Sequence, residues 1–251
     1  LTAVTPSLDV ARLWSRDLGD GRGDAGLKLR AVFADGRIFA SDSSGVVAAF
    51  DAQSGAAAWR VDLDQAVSSG PGAGSGLVVV GGIDGGVVAL DALSGDRRWD
   101  AAVSSEVLAP PAVADGVVVV RSVDGRLFGF DANDGTRRWV FDRGVPLLTL
   151  RGNGAPLVVG GVVYAGYDNG KIVALNVADG ALRWEQALAQ SEGRTELDRM
   201  VDIDGELASS GSELYAASYR GQIGALTPDN GRVLWSRDFS AYAGVALAGD
   251  K

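Results

Sequence analysis

Short apolar runs, each opened by a glycine, recur along the whole chain. Residues 76–81, 116–120 and 161–165 are such runs, and their β-branched side chains favour strands over helices. Pairs such as Asp84-Gly85 and Asn169-Gly170 follow them, and two-residue hairpin turns need the positive φ that Gly and Asn tolerate. A further apolar run comes after each pair. The pattern therefore predicts consecutive antiparallel strands joined by tight turns.

These runs belong to a repeated unit that closes with an eleven-residue phrase, A-x-D-x-x-x-G-x-x-x-W. Full copies of the phrase, some with substitutions, end at Trp59, Trp99, Trp139, Trp184 and Trp235, and Trp14 is the ending of a sixth. Successive tryptophans are 45, 40, 40, 45 and 51 residues apart, a period typical of propeller blades or helical solenoids. The 36 glycines and the β-branched runs argue against a helical array. We predict an all-β protein, a β-propeller with four antiparallel strands in each blade.

The repeat also predicts the domain organisation. We expect a single β-propeller domain over residues 1–251, with an N-terminal closing strand at about residues 8–18 and blade ends near residues 63, 103, 143, 188 and 239. An unfinished blade is expected at 240–251. A closed ring of about five blades would leave the Trp14 strand surplus, so the chain is expected to be an incomplete propeller in which Trp14 is meant to close the final blade.

The repeated Asp, Gly and Trp have two interpretations. In the structural one, the Gly permits the turn between the third and fourth strands, the Asp caps that turn, and the Trp packs against the next blade. In the functional one, a ring of tryptophans stacks on a ligand. Packing is favoured, because a feature present in every blade serves what every blade must do.

The units that end at Trp99 and Trp139 hold to 40 residues, and two later units exceed that length. The units that end at Trp184 and Trp235 run to 45 and 51 residues instead of 40. Aligning their glycine turns puts the extra residues between the outer strand of one blade and the inner strand of the next. Residues 148–151 and 193–204 should therefore project from adjacent blades, on the face that also carries the turns between second and third strands. Long loops on a rigid scaffold are where binding usually occurs.

Charge and missing residue types narrow the function. With 23 basic and 32 acidic residues the net charge is −9, which argues against nucleic acid and anionic membrane surfaces and favours a basic protein partner. No apolar stretch approaches the length of a membrane-spanning helix, and because the chain begins at Leu1 without an initiator Met we expect no signal peptide in it. The chain has no Cys and no His, which excludes disulfides, thiolate chemistry and imidazole catalysis.

Asp202, Asp204 and Glu206 form the densest acidic group, and three interpretations compete for it. A calcium loop would add Glu213, but Leu207 stands where that loop requires Gly. A solvated loop would pair these acids locally with Arg194 and Arg199. A docking surface would use them to accept hydrogen bonds from basic groups of a partner.

The repeat phrase resembles the tryptophan-docking motif of quinoprotein-type propellers. Two segments outside the repeat extend the resemblance, namely L-T-L-R-G-N-G-A-P at residues 148–156 and T-E-L-D-R-M-V-D-I-D at residues 195–204. With them, essentially the whole chain is similar to the BamB family, propeller lipoproteins of the outer-membrane β-barrel assembly machinery. The resemblance implies an eight-bladed ring, of which about three blades would be absent from this chain.

The resemblance also implies a function. A BamB-type protein is a non-enzymatic scaffold at the periplasmic face of the Gram-negative outer membrane, with no cofactor or metal, that assists assembly and insertion of outer-membrane β-barrel proteins. Its partner is the POTRA region of the barrel-forming subunit, and unfolded outer-membrane proteins are further candidates. The family's lipid-bearing cysteine is absent here, so the chain is expected to be a mature or engineered soluble form without its anchor. The implied partner-binding residues are Leu148, Leu150, Arg151, Asp202 and Asp204.

These residue types suit a protein interface, but a supporting role is also open. Two leucines would supply an apolar anchor, Arg151 a bidentate donor and the aspartates acceptors. Alternatively, the leucines cover the base of the blade and Arg151 pairs internally with Asp202 or Asp204.

A quinone-dependent dehydrogenase, or another ligand-binding propeller, is the alternative function. Such enzymes share the repeat phrase, stack the cofactor on a Trp at the propeller axis, often beside a vicinal disulfide, and hold calcium with Glu, Asn and Asp. Here all six tryptophans stand at repeat positions and there is no cysteine. The scaffold function is therefore expected.

Overall fold

The computed structural model describes residues 11–19, 21, 23, 27, 29–142, 154–167, 169–188, 202–203, 205–219, 221–241 and 243–247. The described residues form five four-stranded antiparallel sheets, and in each one the strands lie in chain order. The all-β propeller architecture predicted from the sequence is confirmed. In the described part of the chain, no helix is both long and apolar enough to cross a membrane.

Each sheet is one blade. The strands of the first two blades are β1 (Val32–Ala34), β2 (Arg37–Ser41), β3 (Val46–Asp51), β4 (Ala57–Asp62), β5 (Gly72–Gly74), β6 (Leu77–Gly81), β7 (Gly86–Asp91) and β8 (Arg97–Ala102). The third and fourth blades contain β9 (Ala112–Ala114), β10 (Val117–Arg121), β11 (Leu127–Asp131), β12 (Arg137–Phe141), β13 (Leu157–Val159), β14 (Val162–Gly166), β15 (Lys171–Asn176) and β16 (Leu182–Ala187). The fifth blade contains β17 (Ala208–Ser209), β18 (Leu214–Ala217), β19 (Gly221–Leu226) and β20 (Val233–Phe239).

The core lies between blades rather than within any one of them. Every residue of β6 and β10 is buried, because consecutive blades cover both faces of these second strands. In the fourth strands of the first four blades the Trp is the one buried residue, whereas β20 has none. Apolar clusters accordingly join each blade to the next along the chain. The second, third and fourth blades are thus each half of two interfaces, as in other repeat proteins.

A tryptophan from each blade closes every one of these interfaces. The indole of Trp99 lies over Gly135 of the following blade, where a Cβ would be 2.6 Å from Trp99 Cε3. Its Nε1 donates to the carbonyl oxygen of Ala132 at 2.9 Å. The same ring-on-glycine contact and indole hydrogen bond join Trp14 to the first blade, Trp59 to the second, Trp139 to the fourth and Trp184 to the fifth. The motif glycine therefore provides bare backbone for the indole as well as the turn.

The first position of the motif has a steric role that the sequence did not reveal. It pairs across the sheet with the Trp of its own blade, as Gly129 does with Trp139. A Cβ at Gly129 would lie 2.1 Å from Trp139 Cε2. A register shift follows this pair in every blade, for example between Gly129 and Phe130. Such bulges re-aim a side chain. In the third blade the bare backbone of Gly129 leaves room for the indole, and the other four blades have Ala at this position.

The motif aspartate caps its turn, as predicted. Asp91 Oδ1 accepts hydrogen bonds from the amides of Leu93 and Ser94 at 2.9 and 3.0 Å. The hydrogen bond from the Ser94 amide is the main reason that the pKa of Asp91 is below its ordinary value. In the third blade the Arg138 guanidinium is the main cause of the lowered pKa of Asp131. The fourth blade uses Asn176, whose Oδ1 accepts from the amide of Ala178.

Trp14 docks on the first blade, and the described residues 11–19 contain no strand. The closing strand expected at about residues 8–18, which was assigned to a final blade of an incomplete ring, stays a prediction. Each of the five described third strands already pairs with its own fourth strand. In the fifth blade that place belongs to β20. Trp235 on β20 remains 41% exposed, whereas Trp99 is 6% exposed.

The ring-on-glycine contact predicts a difference between two glycines of similar conformation. Gly135 and Gly116 have φ of 73° and 72°, but a Cβ would meet Trp99 only at Gly135, since nothing lies within 4 Å at Gly116. Gly116→Ala should cost about 1–2 kcal/mol through backbone strain, and Gly135→Ala about 1–3 kcal/mol more through overpacking. Urea unfolding monitored by tryptophan fluorescence measures both. Equal losses would show that the indole does not need the bare turn.

The lowered pKa of Asp131 predicts a pH-dependent contribution to stability. A carboxylate whose pKa is lower in the folded state stabilises above its unfolded pKa of about 3.9, and that contribution is lost as the pH falls through the folded value. Asp131→Asn keeps the acceptor, as Asn176 does, but removes the charge beside Arg138. Its thermal midpoint should lie below that of the parent at about pH 7 and approach it toward about pH 3. A constant difference across this range would contradict the assignment.

Candidate functional site

Inter-blade segments and the turns between second and third strands lie on one face of the propeller, here called the turn face. Leu63 N donates to Gly45 O at 3.1 Å, Val103 N to Gly85 O at 2.9 Å, and Leu188 N to Gly170 O at 2.9 Å. In each pair the donor follows a fourth strand and the acceptor belongs to a turn of the same blade. The shared face predicted from the antiparallel order is therefore present.

The inter-blade segments that precede the second, third and fifth blades each insert one apolar side chain into this face. Val67, Val107 and Ile203 are at most 1% exposed, and each stands five residues before the first strand of its blade. Val107 packs where Gly81 ends β6, and a Cβ there would lie 2.4 Å from Val107 Cβ. Ile203 packs in the same way on Gly166 at the end of β14, with its Cγ2 at 2.3 Å from such a Cβ. These apolar side chains, called inter-blade anchors below, thus pack on glycines at the ends of second strands.

The third blade departs from this arrangement. Arg121 stands at the end of β10, where the second and fourth blades have Gly81 and Gly166, and it is fully buried. Its Nη1 donates to Gly166 O at 2.6 Å, with a longer contact of 3.4 Å to Gly154 O. Its Cζ lies 4.9 Å from the centre of the Tyr167 ring. The sequence analysis missed Arg121, although its position at a strand end, where other blades carry small residues, is a visible signal.

The two over-long segments are attached to the turn face at this place. They run between β12 and β13 and between β16 and β17, as the alignment of the repeats predicted. Of the five predicted partner-binding residues, Leu148, Leu150, Arg151 and Asp204 lie outside the described residues. The described residues at the segment ends meet around the turn of the fourth blade: Arg121 contacts Gly154 O, and Ile203 N donates to Tyr167 O at 3.2 Å.

Asp202, the remaining predicted residue, is buried. The residue is 1% exposed. Its main-chain carbonyl oxygen accepts a hydrogen bond from Tyr219 N at 2.8 Å. The segment at 202–203 therefore lies between the turns of the fourth and fifth blades. A carboxylate at this depth is positioned to support the segment from within the fold.

An exposed ionic network holds the start of the first long segment. Arg126 Nε donates to Asp142 at 2.9 Å, and its Nη1 donates to Asp124 at 3.0 Å. Burial acts to raise the pKa of Asp124, but hydrogen bonds from Ser104 and Ser122 and the charge of Arg126 outweigh it, and the pKa is lowered. Both described ends of this segment, Asp142 and Gly154, are thus held by arginines of the third blade.

The acidic residues considered for calcium do not converge in the structure. Glu206 pairs with Arg30 of the first blade, and Glu213 accepts from the hydroxyl of Tyr215 at 2.8 Å. No cluster of three or more candidate metal ligands occurs within the described ranges. A cavity of about 360 Å³ lies against the inner strands of the first four blades, and its lining, which includes Val32, Ala73, Ala112 and Leu157, carries no charged side chain.

Five four-stranded blades joined by tryptophans that dock on glycine turns define a propeller of the quinoprotein type. The family model for the outer membrane protein assembly factor BamB matches residues 3–67 and 43–251. The chain belongs to this family.

Individual relatives agree with the family assignment. The outer membrane protein assembly factor BamB of Pseudomonas aeruginosa is 57% identical to this chain. The alignment covers 98% of this chain and 65% of that relative's own length. The BamB of Xanthomonas campestris is 43% identical over 99% of this chain and 64% of its own length. The crystal structure of BamB from Moraxella catarrhalis superposes with a TM-score of 0.79 at 29% identity, over 86% of this chain and 66% of that one. The chain thus spans a little less than two thirds of the curated relatives named.

Enzymes share the fold. The quinohemoprotein alcohol dehydrogenase of Comamonas testosteroni has a TM-score of 0.67 at 21% identity, over 94% of this chain and 47% of that one. An identity this low shows a common architecture alone.

The burial of Asp202 predicts that its removal lowers stability. Asp202→Ala leaves the groups around the carboxylate without their partner, and we expect a loss of about 1–3 kcal/mol in the free energy of unfolding. Asp100→Ala is the matched control, since Asp100 is exposed beside Arg97, and it should stay within about 0.5 kcal/mol of the parent. Chemical denaturation of the three proteins decides the matter. An Asp202→Ala protein as stable as the parent would rule out a structural role for this carboxylate.

Proposed function

We propose that this chain is a non-enzymatic scaffold for the assembly and insertion of outer-membrane β-barrel proteins, and that it binds the POTRA region of the barrel-forming subunit. The proposal is supported by membership in the BamB family, whose relatives carry the name outer membrane protein assembly factor. One structural observation carries it furthest. The ends of both over-long segments meet around a single turn of the fourth blade.

Within this surface the residues divide into contacts and supports. Leu148, Leu150 and Arg151 supply an apolar anchor and a bidentate donor, and Asp204 supplies an acceptor for a basic group of the partner. Asp202 is assigned the supporting role, because its side chain is buried beneath the segment. The acidic net charge of −9 favours a partner surface that is basic.

The scaffold needs no cofactor in this proposal. Trp14, Trp59, Trp99, Trp139 and Trp184 each donate an indole hydrogen bond to the following blade, so these rings are committed to packing between blades. Trp235 stands at the same position on β20. The uncharged lining of the cavity against the inner strands also differs from what an anionic quinone and a calcium ion would need.

The proposed location is the periplasmic face of the Gram-negative outer membrane, with a lipid anchor in the full-length protein. POTRA domains and unfolded outer-membrane proteins would both be accessible there. A propeller scaffold suits the first kind of partner, because a folded domain can dock on packed blades with little loss of conformational entropy.

Two variants test the proposed contacts. Arg151→Glu, and Leu148→Ala combined with Leu150→Ala, should each weaken affinity for a purified POTRA fragment by about 30-fold or more, as the loss of an interface anchor costs about 2 kcal/mol. Thermal midpoints should stay close to that of the parent. Calorimetric titration gives the affinity and differential scanning fluorimetry the midpoint.

Arg98→Glu is the control for charge reversal, since Arg98 is exposed on β8 and pairs with Asp91 of its own blade. It should leave affinity unchanged. A folded Arg151→Glu protein that binds as tightly as the parent would overturn the docking assignment. Parallel loss of midpoint and affinity would reassign Arg151 to internal support.

A further inference from the structure

The second-strand ends and the inter-blade anchors are complementary in size. Gly81 faces Val107 and Gly166 faces Ile203, so a small strand end accompanies a branched anchor. The third blade differs: its second strand ends in Arg121, and the residue five before β13 in the sequence is Gly152. The sequence thus has a large residue at the strand end and a glycine at the spacing where the other segments have a branched one.

This exchange replaces an apolar anchor with a guanidinium group. Among the described residues with buried charged side chains, Arg121 is the only cation, and its partners Gly166 and Tyr167 belong to the fourth blade. An apolar anchor fills space, whereas a guanidinium group also donates directed hydrogen bonds from a planar fork and stacks on an aromatic ring. Arg121 therefore fixes the direction of its contacts with the fourth blade, whereas the apolar inter-blade anchors only fill space.

The groups that Arg121 contacts lie at the ends of both long segments. Gly154 follows residues 143–153 and is reached by Nη1. Gly166 packs on Ile203, which follows residues 189–201, and Tyr167 O accepts from Ile203 N. The buried Asp202 precedes Ile203 directly. One side chain thus connects two places in the chain that are separated by a whole blade.

We propose that Arg121 is a positioning residue that fixes the described ends of the two long inter-blade segments, Gly154 and Asp202-Ile203, relative to each other, and that this placement strengthens binding of the partner. The inference rests on the proposed function for its consequence in binding, but its structural part concerns this chain alone. Removing the guanidinium group should loosen both segment ends together, while the remaining blades stay intact.

Hydrogen exchange of the chain without a partner tests the structural part. In Arg121→Met, peptides that cover residues 154–167 and 202–207 should exchange at least about tenfold faster than in the parent, whereas peptides of the first two blades should be unchanged. Arg37→Met is the matched control, because Arg37 also donates to two carbonyls of the next blade, those of Ala92 and Leu93, at 2.8 and 2.9 Å. It should leave both test regions unchanged. Parent-like exchange at 154–167 and 202–207 in Arg121→Met overturns the proposal.

A swapped pair separates positioning from space filling. Arg121→Gly combined with Gly152→Val recreates the small-end and branched-anchor pair of the second blade. This double variant should recover most of the thermal midpoint that Arg121→Gly alone loses, yet bind the POTRA fragment at least about tenfold more weakly than the parent. Recovery of affinity along with the midpoint would mean that Arg121 only fills space, and would overturn the proposal.

The two hypotheses fail in different ways. If the parent chain does not bind the POTRA fragment, the proposed function is wrong, and the exchange experiment still decides whether Arg121 holds the two segment ends. If the parent binds and Arg121→Met binds equally well with parent-like exchange, the inference about Arg121 is wrong and the proposed function stands.

Discussion

An indole ring laid on a bare glycine turn is the contact on which the five blades depend. Each described interface between consecutive blades has one, together with a hydrogen bond from the indole nitrogen to a neighbouring carbonyl. Truncating a buried aromatic side chain typically costs about 3–5 kcal/mol, so a single ring carries much of what holds two blades together. The rest of the motif serves this contact: the bulge aims the indole and the small residue opposite gives it room.

Regularity of the blades is what makes the exceptions informative. Because the ordinary interface is filled by an anchor of known position, the arginine at the end of β10 stands out as a departure. It occurs beside the two segments that break the length of the repeat. Under the proposed function, packing requirements and binding requirements therefore separate along the chain, and the proposed binding surface lies on the turn face of the third to fifth blades.

Much of the fold could be predicted from the sequence, because period, turn residues and apolar runs are local signals. The phrase ending in Trp99 predicts a strand, a capped turn and an inter-blade contact, and all three are present. What could not be predicted depends on close approach between blades. Neither the clearance over Gly135 nor the burial of Arg121 and Asp202 follows from spacing, since each depends on side chains distant in sequence.

The docking contact has a direction. Each of the first four blades docks its tryptophan on the blade that follows, and each of the five receives one on its glycine turn, the first from Trp14. On the ribosome, a blade is therefore finished before the surface that covers its indole has been made, roughly 35 residues later by the spacing of Trp99 and Gly135. At each stage of synthesis the newest blade would expose one aromatic ring. That ring would stay uncovered until the glycine turn of the next blade has been made. Trp235, still 41% exposed on β20, shows what such a ring looks like.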